Sequence, residues 1–398
     1  MFELMHVIET LGSGGAERLL HTNLTYLDRE RFRSSVVTVR ASGEHWRAPI
    51  EALGVSVETL GVRTRRDLPG AVHRLRKLLS RHGVALLHTH LWEANVVGRL
   101  AGRLAGVPVI SSIHNPDYEP EAWQVVDDRP RTKRRFFLAV DRGTARIGCT
   151  RMIAVSESVR RSAHAHLRFP LERIDVLENP IDLDELRRPA ARDRGAILHD
   201  LGLPADALVM LNVARLSPQK GLGHAIDALP RILESHPNAH LLSVGAPDHR
   251  AWFDALKRRS AERGVAGHVH FLGPRRDIPD LLRACDVFVF PSLFEGLGLA
   301  LIEAMAAGCA CVASAVGPVL EIVRDGVDGL LVPAGDDGAL ARAVLQVIDD
   351  APRRTLLGRA AADAAARRFD PRVGARRLEE VYQRVLAVRA RPSTARAR

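Results

Sequence analysis

Aromatic residues are scarce in this chain, at 5% of its 398 residues, whereas hydrophobic residues of all kinds make up 46%. The core must therefore be built mainly from Ala, Val, Leu and Ile. That composition suits helices that pack on a parallel sheet. The length is enough for two domains or for one large α/β domain.

Cysteine is also rare, and no Cys-x-x-Cys spacing occurs among Cys149, Cys285, Cys309 and Cys311. Without that spacing, the four residues indicate neither a zinc ribbon nor a disulfide framework. Reduced thiols in a cytoplasmic protein are the simplest expectation.

No hydrophobic run reaches the roughly 18 residues that a membrane span needs. The longest candidate, 299–317, is interrupted by Glu303, Gly308 and Gly317. Acidic residues interrupt the first strand-like segment, and no cleavage site follows it, so a signal peptide is not predicted. We expect a cytoplasmic protein that is soluble, or at most peripheral at the inner face of the membrane.

The formal net charge is +10, and it is unevenly placed. Residues 1–187 hold 28 Lys and Arg against 23 Asp and Glu, and the tail 389–398 holds four Arg and no acid. We predict that this basic tail is disordered. Within the first half, cations concentrate in 129–137 and on one side of a predicted amphipathic helix over 71–81.

Two interpretations of these basic stretches remain open. The first, which the composition favours, is an ordinary solvated face. The second is attraction to anionic lipid headgroups or to a polyanionic acceptor. Nucleic acid is not an expected partner, because no aromatic-interleaved platform or reading motif accompanies the cations.

Continuous apolar runs of strand length alternate with helical patterns along the whole chain, as expected for strands buried on both faces. The predicted strands are 4–10, 35–39, 84–88, 108–113, 152–155, 174–177, 208–214, 240–245, 268–272, 286–290, 310–314 and 330–332. Two such series predict an α/β fold of two doubly wound, Rossmann-like domains. We place the first domain at 1–183, the second at 184–370 and a final helix at 371–388.

Each half opens with a strand followed by a loop that could approach an anion. Gly14-Gly15 follows the first strand and would let a backbone come close to a ligand, although no G-x-G-x-x-G dinucleotide fingerprint is present. Arg215 and Lys220 frame the loop that opens the second half. Two cations on one loop can hold a diphosphate, although they could equally be solvated side chains.

Glu295 and Glu303 flank a later strand-to-helix turn that contains Gly296 and Gly298. The pair could be a solvated carboxylate with a helix-start carboxylate, or an acid/base pair like that of glycoside hydrolases. Carboxylates can also accept hydrogen bonds from sugar or ribose hydroxyls. Together with a cationic loop and the free amides at a helix start, they describe a nucleotide-sugar site.

Histidines end two further predicted strands. His88-Thr89-His90 would place both imidazoles on one face, but the sequence shows no third ligand, so a metal site is not expected. His114 ends the strand 108–113. It could be a polar loop residue, or a side chain that reaches into an interdomain cleft.

These motifs, in this order, resemble the retaining glycosyltransferases of family 4, the group 1 glycosyl transferases that include glycogen-synthase-like and mannosyltransferase-like enzymes. The resemblance covers nearly the whole chain. The matching stretches are residues 14–18, 87–90, 111–114, 178–182, 214–221, 291–299, 321–326 and 329–333. It implies the GT-B fold, with the two domains facing across a cleft and the C-terminal helix crossing back to the first domain.

The resemblance also implies roles for individual residues. Arg215 and Lys220 would bind the donor diphosphate, together with the amides of Gly298 and Leu299. Glu303 would hold the donor ribose, and Glu295 would contact the transferred sugar. The backbone at Arg275 would lie by the nucleobase, Gly15 would approach the phosphates, and His114 would face the sugar and acceptor.

The activity that the resemblance implies is retaining, metal-independent hexosyl transfer without a cofactor. The donor would be a UDP- or GDP-linked sugar, and the acceptor a glycan, a lipid-linked molecule or a small molecule. Two alternatives stay open at this point. One is a GT-B sugar-nucleotide epimerase, and the other is a non-catalytic two-domain protein that binds nucleotides or sugars.

Overall fold

The computed structural model of the chain describes residues 1–12, 14–116, 118–119, 131–187 and 192–390. Its described part forms two compact units. The first contains the described residues of Met1–Tyr118 and Asp128–Pro180 together with the C-terminal stretch from Pro371, and the second runs from Ile181 to Asp370. The division therefore falls at Pro180, three residues before the predicted boundary.

The first unit is a seven-stranded parallel sheet with the strand order β3-β2-β1-β4-β5-β6-β7. Its strands are β1 (Phe2–Ile8), β2 (Phe32–Thr38), β3 (Ser56–Thr59), β4 (Leu86–His90), β5 (Val109–Ile113), β6 (Arg151–Ala154) and β7 (Ile174–Val176). Its helices are α1 (Gly15–Tyr26), α2 (Arg47–Ala52), α3 (Leu68–Arg81), α4 (Trp92–Ala105), α5 (Arg131–Gly148) and α6 (Glu157–Leu167), joined by the C-terminal helix α16 (Pro371–Ala390).

Successive side chains of the central strands point to opposite faces of the sheet, so the core of the first unit is divided between the two faces. Leu4 and Leu86 point to the face covered by α16. Met5 and Leu87 point to the opposite face, which α3 and α4 cover. Since both faces carry apolar side chains, these strands appear in the sequence as continuous hydrophobic runs.

The last helix is longer than the predicted 371–388 and belongs to the first unit. Its Tyr382 is fully buried, and the Tyr382 hydroxyl lies 2.7 Å from Nδ1 of His88. The chain thus returns to its first unit, as expected of the C-terminal helix. The predicted basic tail lies outside the part of the chain whose side chains are described.

The second unit is a six-stranded parallel sheet with the strand order β10-β9-β8-β11-β12-β13. Its strands are β8 (Leu208–Val213), β9 (Ala239–Val244), β10 (Val269–Gly273), β11 (Val287–Phe290), β12 (Cys311–Ser314) and β13 (Leu330–Val332). Its helices are α7 (Leu183–Arg187), α8 (Arg194–Asp200), α9 (Leu222–Leu233), α10 (Arg250–Glu262), α11 (Ile278–Ala284), α12 (Leu299–Ala306), α13 (Val319–Ile322), α14 (Asp337–Asp349) and α15 (Ala351–Arg368).

Every predicted strand is present within a few residues of its predicted bounds, and the prediction of two doubly wound α/β domains is confirmed. Among the described residues, the one strand that the sequence did not predict is β3 (Ser56–Thr59), an edge strand whose side chains are all half-buried or exposed. No helix in the described part of the chain is both long enough and apolar enough to span a bilayer.

Candidate functional site

Strand order reverses in the second unit between β8 and β11. These neighbouring strands pair in parallel through Val287 with Met210 and Phe288 with Leu211. From β8 the sheet continues in one direction through β9 and β10, and from β11 in the other through β12 and β13. Such a switch point is where open α/β sheets bind ligands, because the two loops diverge at the carboxyl ends of the strands.

The loop after β8 ends in a short 3₁₀ turn over Pro218–Lys220, and α9 begins after Gly221. Gly221 has a φ of 62°, and a Cβ atom there would collide with the carbonyl oxygen of Pro291. Two hydrogen bonds hold the loops together. The backbone N–H of Leu293 donates to the Gln219 carbonyl at 2.8 Å, and Nε2 of Gln219 donates to the Phe294 carbonyl at 3.0 Å.

This contact between the two loops brings a predicted cation and a predicted carboxylate together. Nζ of Lys220 donates to Oε1 of Glu295 across 2.6 Å. The Lys220 side chain is 18% exposed and the Glu295 side chain 5% exposed, so the pair is largely shielded from water. Shielded charges interact strongly, and the two side chains therefore fix each other's position at the switch point.

Glu303, the second predicted carboxylate, lies in α12, which begins at Leu299. Gly298 precedes the helix with a φ of 98°, a left-handed conformation that favours glycine. The first amides of a helix have no acceptor within the helix, so they present a partial positive charge to this end of the site. Glu303 is buried in this short helix, eight residues after Glu295 along the chain.

Arg215 lies on the same loop as Lys220, in a more open setting. Its side chain is 60% exposed, and its Nη1 donates to Oδ1 of Asp248 at 2.7 Å. Sequence reasoning missed Asp248. The available signal was a polar residue shortly after a buried strand, since Asp248 follows the carboxyl end of β9 just as Arg215 follows β8.

Arg275 follows the carboxyl end of β10, with its side chain turned toward its own loop. Its Nε donates to Oδ1 of Asp277 at 2.8 Å. The hydrogen bond raises the pKa of Arg275 and lowers the pKa of Asp277. The Arg275 side chain is thus held within its own loop.

Gly15 and His114, the two remaining predicted residues, belong to the first unit. Gly15 is the first residue of α1, and Glu17 is buried in the first turn of that helix. His114 follows β5, and its Nε2 lies 3.4 Å from Nδ1 of His90. Burial lowers the pKa of His114 to about 4, so its imidazole is neutral at pH 7.

Two family models match the chain, one on each half. The model "Glycosyltransferase Family 4" matches residues 13–185, and the model "Glycosyl transferases group 1" matches residues 193–364. The second match includes the loop that carries Lys220, the turn that carries Glu295 and the whole of α12.

Two relatives show how far the similarity extends. The chain is 33% identical over 299 residues to the D-inositol 3-phosphate glycosyltransferase of Stackebrandtia nassauensis, covering 71% of this chain and 64% of that protein. It is 30% identical over 282 residues to the UDP-Gal:alpha-D-GlcNAc-diphosphoundecaprenol alpha-1,3-galactosyltransferase of Escherichia coli, covering 69% of each chain.

The fold is also that of a solved structure, Anabaena Alr3699/HepE in complex with UDP and glucose. The TM-score is 0.84 with 24% sequence identity, covering 96% of this chain and all of the Anabaena chain. Two parallel sheets with alternating helices, matched as a whole to this structure, are the two-domain GT-B fold. Fold, family models and relatives agree that the chain belongs to the family 4, group 1 glycosyltransferases.

Proposed function

We propose that this protein is a retaining glycosyltransferase that moves a hexosyl group from a UDP- or GDP-linked sugar to an acceptor hydroxyl. The observation that carries the proposal is the Lys220–Glu295 pair at the switch point of the second sheet. It places a shielded cation and a shielded carboxylate side by side. A nucleotide sugar needs both at the junction between its diphosphate and its transferred sugar.

Lys220 would bind the donor diphosphate. A lysine ammonium has three N–H donors, and the contact with Glu295 uses one of them. The other two can donate to phosphate oxygens. Arg215 would add a second cation, since the bond to Asp248 uses one of its five N–H donors, and the amides at the start of α12 would face the same charge.

The two carboxylates would contact different parts of the donor. Oε1 of Glu295 holds Lys220, which leaves Oε2 to accept hydrogen bonds from hydroxyls of the transferred sugar. Glu303 would hold the ribose hydroxyls, and the backbone at Arg275 would lie along the nucleobase. In the first unit, Gly15 would approach the phosphates and His114 would face the sugar and acceptor.

The reaction breaks the bond between the anomeric carbon of the sugar and the diphosphate oxygen. Negative charge then grows on the diphosphate while the sugar becomes oxocarbenium-like, so Lys220, Arg215 and the helix amides stabilise the leaving group. The acceptor oxygen attacks from the face that the diphosphate leaves, and a diphosphate oxygen takes the acceptor's proton. Glu295 and His114 position the reactants in this scheme, and no metal ion is required.

The printed names of similar proteins support this choice of substrates. The Anabaena structures hold UDP, UDP with glucose, and UDP-glucose. The relatives' names give an inositol phosphate and a diphosphoundecaprenol as acceptors, both of which bear phosphate. We therefore propose UDP-linked sugars as the first donors to test, and an acceptor that carries phosphate or a lipid diphosphate.

An anionic acceptor, or a peripheral contact with an anionic membrane, also fits the basic helices of the first unit. Both α3 and α5 pack against α4, which places the two predicted basic stretches on one side of the sheet. Arg131, Lys133 and Arg135 are exposed near the start of α5, beside Phe136, which is 64% exposed. Exposed cations around an exposed aromatic ring are typical of surfaces that contact anionic headgroups.

A donor-hydrolysis and transfer assay tests the proposal. Purified protein is incubated with UDP- and GDP-linked sugars, with and without phosphorylated polyol or lipid-diphosphate acceptors, in the presence of a chelator. Release of the nucleoside diphosphate with an α-configured product from an α-linked donor supports retaining, metal-independent transfer. Conversion of the sugar nucleotide to an epimer would identify the epimerase alternative. Binding of UDP without turnover of any donor would identify the non-catalytic alternative.

A further inference from the structure

Three histidines meet inside the first unit. His6 comes from β1, and His88 and His90 come from β4, which lies next to it. The strand register places His6 directly opposite His88, and Ile8 opposite His90. Since side chains alternate along a strand, all three imidazoles point to the face of the sheet that α16 covers.

All three imidazoles are buried, and two of them have unsatisfied nitrogens. Neither ring nitrogen of His6 has a hydrogen-bond partner among the described residues, and Nε2 of His90 has none either. A buried polar atom without a partner destabilises a fold and calls for an explanation, such as an ion or an ordered water molecule.

One nitrogen from each ring lies within 4.8 Å of the corresponding atoms of the other two. Nitrogens that share a tetrahedral zinc ion at about 2.0–2.1 Å are roughly 3.3 Å apart, so small ring rotations would close the set. The His88 and His90 rings are already near each other, with centroids 4.2 Å apart.

The groups around His88 resemble the outer shell of a metal site. Nε2 of His88 lies 2.8 Å from Oγ of Ser112, and Nδ1 lies 2.7 Å from the hydroxyl of Tyr382. A ligating histidine commonly donates its other ring N–H to an oxygen, which fixes the tautomer. Ser112 can accept that hydrogen bond, and the Tyr382 hydroxyl, which now hydrogen-bonds to Nδ1, would turn aside to let the ion bind that nitrogen.

We propose that His6, His88 and His90 form a buried structural site for one divalent transition-metal ion of the zinc class. Three imidazoles with no carboxylate among them suit zinc, cobalt or nickel, and not magnesium or calcium. An oxygen at the fourth position, from Tyr382 or a water molecule, would complete a tetrahedron. The ion would tie β1, β4 and α16 together, and it plays no part in the proposed transfer reaction.

The three histidines are at most 2% exposed, so the metal is tested during refolding. Tag-free protein is unfolded in guanidinium with a chelator, dialysed and refolded with Co²⁺ or Zn²⁺. The wild type should retain about one ion per chain. Cobalt should give the visible absorption of a tetrahedral site, and zinc should displace it. The midpoint of thermal unfolding should rise by several degrees when the metal is bound.

The His6→Phe variant decides between an ion and a set of neutral imidazoles. A metal ligand should be essential, so the variant should lose the retained ion, the cobalt absorption and the metal-dependent rise. His240→Phe is the control, because His240 belongs to a separate histidine group in the second unit and should leave all three unchanged.

Two results would overturn the proposal. One is wild-type protein that retains far less than one ion per chain after refolding, a measurement that does not depend on any variant folding. The other is His6→Phe protein that unfolds at the wild-type temperature or higher and binds metal as the wild type does. UDP binding by the second unit, measured alongside, shows separately whether the proposed transferase site is intact.

Discussion

Nζ of Lys220 lies 2.6 Å from Oε1 of Glu295, although the two residues are 75 positions apart in the chain. The contact exists because Gly221 lets the loop after β8 press against the backbone of Pro291. Each charge is shielded by its surroundings and neutralised by the other. Removing one would therefore leave the other buried without its partner, which is costly in a protein interior.

We predict that Lys220→Met weakens UDP binding by roughly tenfold or more and lowers turnover by about a hundredfold, because it removes the charged donor that is proposed to bind the diphosphate. Isothermal titration and a donor-hydrolysis assay measure the two effects. Part of the loss would come from the unpaired Glu295.

The double variant Lys220→Met/Glu295→Gln should recover stability and not turnover. Lys257→Met, on the exposed surface of α10, is the control, and wild-type values for Lys220→Met would refute the diphosphate role.

Glu295→Gln should lower turnover by about a hundredfold while changing the affinity for UDP by less than about threefold. The reason is that UDP lacks the transferred sugar, which the carboxylate is proposed to contact in the transition state. Steady-state kinetics with the sugar nucleotide and titration with UDP separate the effects. Glu262→Gln, at an exposed position of α10, should match the wild type. A variant with normal turnover and weak UDP binding would contradict the sugar-side assignment.

Gly221→Ala should destabilise the second unit by more than about 3 kcal/mol and abolish UDP binding. The left-handed φ alone costs about 1–2 kcal/mol for a non-glycine residue, and the new methyl group would also strike the Pro291 carbonyl. Gly264→Ala isolates the first effect, since Gly264 has a φ of 71° with open space around it. Chemical unfolding compares the two variants. Equal losses would show that the loop contact at Pro291 contributes nothing.

The second unit should lose stability as the pH falls below about 6.5, the ordinary pKa of histidine. Burial lowers the pKa of His240 and of His270, whose rings are joined by a hydrogen bond of 3.1 Å. The unfolded chain then binds more protons than the folded chain in the window below the unfolded pKa. Stability is therefore present above that pH and lost as the pH falls toward the folded pKa values.

The variant His270→Asn should make the pH dependence shallower between pH 7.5 and 5, as followed by thermal unfolding. His249→Asn is the matched control, because His249 is exposed and does not belong to this pair. A His270→Asn profile as steep as that of the wild type would mean that other groups carry the acid sensitivity.

Reversing the charge of Arg131, Lys133 and Arg135 to Glu should lower binding to anionic vesicles by about a hundredfold or more, since each basic residue near such a surface contributes about 1 kcal/mol. Flotation with phosphatidylglycerol vesicles measures the loss, and phosphatidylcholine vesicles show the dependence on charge. The control reverses Arg250, Lys257 and Arg258 on α10, which carry the same charge in the second unit. If both triple variants lowered vesicle binding equally, the basic start of α5 would not be a specific membrane-contacting face.

Local patterns in the sequence were enough to predict most of the architecture. Buried parallel strands produce unbroken apolar runs such as that of β11, and the following glycine and helix pattern placed Glu295 in a turn and Glu303 in a helix. The strand β3 was missed because an edge strand with exposed side chains has no such run. A short polar segment of this kind carries no periodic signal that separates it from a loop.

The sequence by itself determined the fold class, the family and the residue types of the candidate site, because these depend on hydrophobic period and on motifs along one stretch of chain. Tertiary structure alone decided which residues meet. Strand pairing placed His6 beside His88 and His90. The contact at Gly221 placed Lys220 beside Glu295. The turn after β9 placed Asp248 beside Arg215. Such partners are tens of residues apart, and only the register of strands and the close approach of loops can select them from the many residues of the same type.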